Sequence, residues 1–433
     1  MPGMKLRSTQ LDLLLYLWYI VFFISLVCCF RAISSIAIGL ILITGLLKNK
    51  TEKGSWINND LKNAFLATCF FFYLIQAIPL LFTTNFTEAV KNIQLKSAIL
   101  LVPIAVCCCS FLDEVVREKL MKYYIGIIAA VLLFCLLNAT YRYQFHAAAA
   151  DVFFYHELVS PFRQHAVQVS IYVFFGLLYL LEKAKNENHL YSKGIHFILI
   201  VYFTTCLLLL SSKLIIAFSA VCFVYYAILV LRSKPKGRLI IFTTLFAGLA
   251  MITLVLSTQN NISKRFNEIR SGNLALVQQQ NFDPGIYFNG LQFRLVQWRF
   301  VKEILTERHA WLTGVSSEAQ TLLNNKYTST HMYIGDGASA DHGFIGYNTH
   351  AQFLESLLQS GIVGLLSFLL ICFAMIRMAI HKKNRELSIA VILLIAYCFN
   401  ESVFESQYGI TLFTFFPLFL FYGTKKTAAI AHP

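Results

Sequence analysis

The chain has 433 residues, 57% of them hydrophobic and 13% charged, with 36 Lys and Arg against 22 Asp and Glu. It is far more apolar than an ordinary soluble domain, which excludes a water-soluble globular fold and a disordered chain. All 11 cysteines fall in apolar runs, so they read as small packing residues and exclude a disulfide framework or thiolate metal site.

Twelve apolar runs predict spanning helices, at 12–30, 32–47, 63–82, 97–112, 123–140, 166–181, 195–211, 214–231, 239–257, 356–376, 387–403 and 408–423. A bilayer needs about 20 apolar residues per helix, so 32–47 and 408–423 are short. Unbroken runs without alternation indicate helices, not a barrel, and the predicted class is an all-α polytopic membrane protein. The first run lacks a small-residue cleavage site and is longer than a signal-peptide core, so it is expected to be retained.

Placing the N-terminus in the cytoplasm puts 22 Lys and Arg in cytoplasmic segments, 6 in short outer loops (Lys96 among them) and 8 in one large loop. Positive charge collects inside, which predicts cytoplasmic termini and a large outer loop. The basic balance therefore reports orientation and implies no nucleic-acid partner. The expected organisation is nine spans in 1–257, the loop in 258–350 and three spans in 351–433.

Candidate functional residues follow the outer side in chain order. Segment 141–165 is rich in aromatics and histidines and suits an interfacial helix or hairpin. It ends in Ser160-Pro161-Phe162-Arg163-Gln164-His165, where Arg163 and His165 can add charge or hydrogen bonds to an outer pocket, or Arg163 can anchor the interface. Ser211-Ser212-Lys213 is a minimal hinge between two apolar runs. A lysine so close to hydrocarbon is costly and either functional or a snorkelling anchor.

Within the loop, Leu291, Leu295, Trp298, Val301 and Leu305 recur at helical spacing and predict an amphipathic helix over 291–308. Arg294 stands one turn before Trp298. Its planar guanidinium suits a phosphate, and the plainer reading pairs it with Glu303 or Glu307. Residues 321–347, rich in Gly, Asn and Ser, predict a mobile cover. His350 opens the helix that re-enters the membrane, where a neutral imidazole can accept a proton from a hydroxyl. The plainer reading is an interfacial histidine bonded to backbone.

Glu401 and Glu405 fall one turn apart at an outer helix end, as counter-charges or as caps. His331, Asp336, Asp341 and His342 are the metal alternative, but their spacing matches no usual ligand set, and no metal is expected. No phosphate loop, nucleophile elbow or dinucleotide fingerprint stands out.

At these residues the chain resembles the O-antigen ligase and O-antigen polymerase superfamily of bacterial inner-membrane proteins. The family's Arg-x-x-x-Trp and following Gly turn look like Arg294 to Trp298 and Trp311-Leu312-Thr313-Gly314. Its His-Asn-x-Phe-Leu and Gly-Ile-x-Gly segments look like His350-Ala351-Gln352-Phe353-Leu354 and Gly361-Ile362-Val363-Gly364. Its Ser-Arg hairpin looks like Ser212-Lys213, and its His-Pro-x-Tyr stretch looks like His165-Ala166-Val167-Gln168. Three residues depart from the pattern: Ala351 stands for Asn, Lys213 for Arg and Ala166 for Pro. The lysine keeps the charge and loses the bidentate fork.

The resemblance implies a GT-C-like fold of about twelve helices and transfer of a glycan from undecaprenyl pyrophosphate to a hydroxyl acceptor at the periplasmic face of the inner membrane. The acceptor is a glycan, lipid A-core or protein hydroxyl. The implied enzyme needs neither metal nor cofactor. It uses His350 as base, holds pyrophosphate on Arg294, Lys213 and Arg163, and is supported by His165, Trp298, Glu401 and Glu405. Ligase is the leading expectation, followed by polymerase, protein O-oligosaccharyltransferase, and transporter or flippase. A carrier tends to show half-repeats and mid-membrane charges, and neither is evident in the sequence.

Overall fold

A computed structural model describes residues 8–56, 64–81, 86–186, 190–233, 274–283, 286, 288–332 and 343–422. All regular structure among them is helical, the form that satisfies every backbone amide within its own segment in lipid. The longer helices are α1 (Ser8–Val27), α2 (Arg31–Lys53), α3 (Ala64–Ala77), α4 (Phe86–Lys96), α5 (Ala98–Cys108) and α6 (Glu114–Phe145). After a short α7 (Tyr155–Leu158) come α8 (Ala166–Asn186), α9 (Leu190–Leu209), α10 (Lys213–Ser233), α11 (Gly290–Glu307) and α12 (Ala319–Ser329). The chain closes with α13 (Gln352–Lys382), α14 (Arg385–Cys398) and α15 (Gln407–Tyr422).

Among the described residues, seven helical segments are long and apolar enough to cross a membrane: Ser8–Val27, Arg31–Lys53, Ala64–Leu81, Phe86–Cys108, Glu114–Phe145, Ala166–Ala184 and Gln352–Lys382. Gly194–Leu209, Lys213–Leu229 and Gln407–Tyr422 are shorter apolar helices. The chain is a helical membrane protein. The run at 32–47, short by its apolar residues, becomes a helix of 23 residues because it continues through a basic end with Lys50 and Lys53. The run at 387–403 forms a helix of 14 residues, and the run at 239–257 lies outside the described residues.

The chain divides into two compact units, one of Met1–Leu11, Ile38–Asp113 and Glu268–Pro433, the other of Asp12–Ala37 and Glu114–Asn267. In the second unit, the Tyr124 hydroxyl donates to the Tyr172 carbonyl at 2.9 Å, tying α6 to α8. Gly176 admits the Phe203 ring, which a Cβ there would meet at 2.8 Å. The turn between α9 and α10 is tight: Ser211 takes φ 51°, and its hydroxyl donates back to Leu208 at 3.2 Å.

In the first unit, α3 lies against α13, with Phe72 edge-on to Phe368 at 6.4 Å. The loop following the second unit folds onto α13 through its own core, which joins Phe293, Val296, Phe300, Leu305, Leu323 and Tyr327 to Leu358. Helix α11 begins at a capping box: Asn289 accepts from Leu291 and Gln292 amides, and the Gln292 side chain accepts from the Asn289 amide.

Two expectations for the loop need correction. The buried face of α11 is Phe293, Val296, Gln297, Phe300, Val301, Ile304 and Leu305, while Leu291 and Trp298 are exposed. The phenylalanines and Gln297 lie outside the predicted stripe, and they turn the buried face away from Trp298. Residues 321–347 are not wholly a loose cover, because 319–329 is helical and buries Leu323 and Tyr327, four residues apart.

Helix α13 is broken at Ser360 (φ −133°, ψ 16°) and Gly361 (φ 63°, ψ −159°). The break admits the Trp311–Gly314 turn backbone to backbone. Val315 N–H donates to the Leu358 carbonyl at 2.8 Å, and Ile362 N–H donates to the Trp311 carbonyl at 2.8 Å. A Cβ on Gly361 would lie 2.3 Å from the Leu312 carbonyl, and one on Gly314 would lie 2.4 Å from the Gln359 carbonyl carbon.

Candidate functional site

The site is built where the start of α13 meets the turn after α14. His350 has left-handed backbone, φ 47°, a conformation that costs a branched or bulky residue free energy and is held by its surroundings. Its amide donates to Asn348 Oδ1 at 3.0 Å. The preceding Thr349 is fully buried and gives both its amide (3.2 Å) and its hydroxyl (2.8 Å) to the Glu355 carboxylate. From the other side, Gln297 on α11 donates to the Asn348 carbonyl. Tyr327 on α12 donates to the Tyr347 carbonyl at 3.2 Å. Burial pushes the Tyr327 hydroxyl pKa well up, so it stays a neutral donor.

The imidazole that this scaffold presents lies against the rings of Phe293 and Tyr347. Its Nδ1 is 3.3 Å from Glu401 Oε2. With Nδ1–H donating to the carboxylate, the lone pair at Nε2 is free to accept a proton. Arg294 reaches the same turn. It donates to the Gly290 carbonyl at 2.8 Å and to the Asn400 carbonyl, next to Glu401, at 3.0 Å.

The plainer pairing of Arg294 with Glu303 or Glu307 is not formed. Glu303 instead takes Arg299 (3.3 Å) and Lys326 (3.0 Å), and Glu307 takes Lys326 (2.6 Å). Burial works against the Lys326 ammonium, but its bonds to Glu307 and Glu303 outweigh that and raise its pKa above the usual lysine value. Arg294 thus carries its charge without a carboxylate partner among the described residues, and its Nε is buried with no acceptor there.

Glu405 belongs to a second cluster beside the first. The Gln359 amide gives its two N–H groups to Glu355 (2.7 Å) and Glu405 (2.9 Å), and its oxygen accepts from Lys96. Lys96 also donates to Gln76 at 2.9 Å and lies 3.6 Å from Glu405. Lys96, expected as a short-loop cation, is 1% exposed. Sequence reasoning missed Lys96, Glu355, Gln359 and Gln76. The available signal was polar residues interrupting apolar runs, with Glu355 five positions after His350.

Around the Gly314 turn, a cleft of about 650 Å³ is lined by Arg308, His309, Ser316 and Glu318 together with Ile75 and Ile78.

Arg163, His165 and Lys213 belong to the second unit. Arg163 is exposed and ends a short turn with left-handed backbone. The His165 ring lies 4.5 Å from that of His156, whose Nδ1 accepts from the Ala166 amide at 3.3 Å. Lys213 is the first residue of α10 and half-buried. Of the metal alternative, Asp336, Asp341 and His342 lie outside the described residues, among which no group of His, Cys, Asp and Glu could hold a metal ion.

Residues 197–369 match the protein-family model described as O-antigen ligase. The match covers Lys213, Arg294 and His350, and supports the O-antigen ligase and polymerase superfamily that the motifs resemble. No curated protein matches the chain.

Proposed function

Starting from an O-antigen ligase domain at residues 197–369, we propose that this protein transfers a glycan from undecaprenyl pyrophosphate to a hydroxyl acceptor, with lipid A-core as the leading acceptor. It acts at the periplasmic face of the inner membrane as a GT-C-type, metal-independent enzyme. The supporting observation is the meeting, on one turn at Asn400 and Glu401, of an imidazole–carboxylate pair and an arginine without a carboxylate partner among the described residues.

The step balances as an inverting displacement. The acceptor oxygen attacks the anomeric carbon while its proton passes to His350 Nε2. The bond from that carbon to the pyrophosphate oxygen breaks, and the electron pair leaves with the diphosphate. Glu401 steadies the imidazolium that forms. Arg294 stabilises the charge growing on the leaving group, and Lys213 and Arg163 keep the pyrophosphate-binding role that the family resemblance implies for them. Trp298 and His165 act in support. The cleft beside Gly314, lined by both polar and apolar side chains, offers room for the amphiphilic end of a substrate.

His350→Ala is expected to abolish surface glycan attached to lipid A-core while the protein level in membranes stays unchanged. A full glycan ladder in that variant would remove the base assignment and the reading built on it.

A further inference from the structure

We propose that Lys96 is a positioning residue for the His350–Glu401 pair, acting through Gln359 and Glu405; this rests on the glycosyl-transfer reading of that pair. A lysine ammonium that is 1% exposed in an apolar helix pair is costly to bury unless its donors are met. Here they are met by Gln76, Gln359 and Glu405.

The arrangement dictates which way the Gln359 amide faces. With the ammonium on its oxygen, both N–H groups must point at carboxylates, one to Glu355 and one to Glu405. Those carboxylates lead to the two halves of the pair. Glu355 holds Thr349, the residue before His350. Glu405 closes the turn that begins at Glu401.

That turn is clamped to the start of α13 at two further points. Gln352 N–H donates to the Glu401 carbonyl at 3.1 Å, and Phe404 N–H donates to Gln352 Oε1 at 2.6 Å. One amide, oriented by one buried cation, therefore sets the imidazole and its carboxylate in register. The register is sensitive: at 3.3 Å the contact is already at the long end for a hydrogen bond, so a few tenths of an ångström would break it. Removing Lys96 leaves the Gln359 oxygen without its donor and Glu405 without its cation, so the amide is no longer held from its oxygen side.

The test is Lys96→Met in proteoliposomes, alone and combined with Glu401→Gln. The donor is lipid-linked glycan extracted from a strain lacking this protein, and the acceptor is that strain's lipid A-core. Lys96→Met is expected to lower kcat at least tenfold with donor KM within twofold, and to cost less than twofold when Glu401→Gln is already present. A wild-type rate, a rise in KM alone, or a further tenfold loss on top of Glu401→Gln overturns the proposal.

Should Lys96→Met fail to accumulate in membranes, Lys96→Met/Glu405→Gln, which removes the charge of Glu405 together with that of its cation, takes its place with the same expectations. Failure of that variant to accumulate as well would assign Lys96 to folding and overturn the positioning role. His350→Ala separates the two levels. Retained transfer there sinks the glycosyl-transfer reading, whereas lost transfer beside a wild-type Lys96→Met sinks this inference alone.

Discussion

His350 is held by contacts on its backbone more than on its ring. Asn348, Thr349 and Glu355 pin the segment, so the left-handed backbone at residue 350 is sustained by buried hydrogen bonds, and the imidazole is left with Glu401 at Nδ1 and no partner at Nε2 among the described residues. The carboxylate therefore orients the ring. Glu401→Gln retains the size of the side chain, but its amide can offer an N–H where the pair needs an acceptor. Transfer is expected to fall about 10²-fold or more in kcat, with thermal stability in detergent close to wild type. Unchanged kcat would show that the carboxylate does not act on the ring.

Among elements, the broken α13 is the feature on which the site hangs. Its first part carries Gln352, Glu355 and Gln359, and the break at Ser360 and Gly361 lets the 311–314 turn dock directly on the helix. Gly361 is needed twice over. Its φ and ψ fall where essentially only glycine is found, at a cost of about 1–3 kcal/mol for other residues, and a Cβ would overlap the Leu312 carbonyl. Gly361→Ala is expected to lower membrane accumulation and the thermal midpoint in detergent sharply, by more than about 3 kcal/mol. A midpoint equal to wild type would show that the backbone docking is not needed for the fold.

At the scale of the whole molecule, the charges placed at the site are few. In the first unit they are Arg294, Lys96, Glu355, Glu401 and Glu405, joined by contacts around the two ends of the first part of α13. A carrier would need a polar path, whereas these groups are tied to one another or to a single turn. Proteoliposomes holding only this protein are expected to show no flux of labelled lipid-linked glycan across the bilayer. Measurable flux above protein-free vesicles would favour the transporter reading.

Helical class and membrane residence follow from composition and run length alone, because lipid allows backbone little else. The positions of α11, the α9–α10 hinge and the start of the apolar helix just after His350 were equally legible, since periodicity and apolar boundaries are local signals. Which face of α11 is buried was not, because Gln297 and the phenylalanines are recruited by partners far along the chain. Nor could sequence tell that Glu303 and Glu307 would choose Lys326 over Arg294, or that Lys96, counted as a loop charge, would be enclosed. Those outcomes depend on distances between residues on different elements, from Glu307 and Lys326, 19 positions apart, to Lys96 and Gln359, 263 apart. Only packing sets such distances, and in a low-dielectric interior they decide which charges are neutralised and which remain available to a ligand.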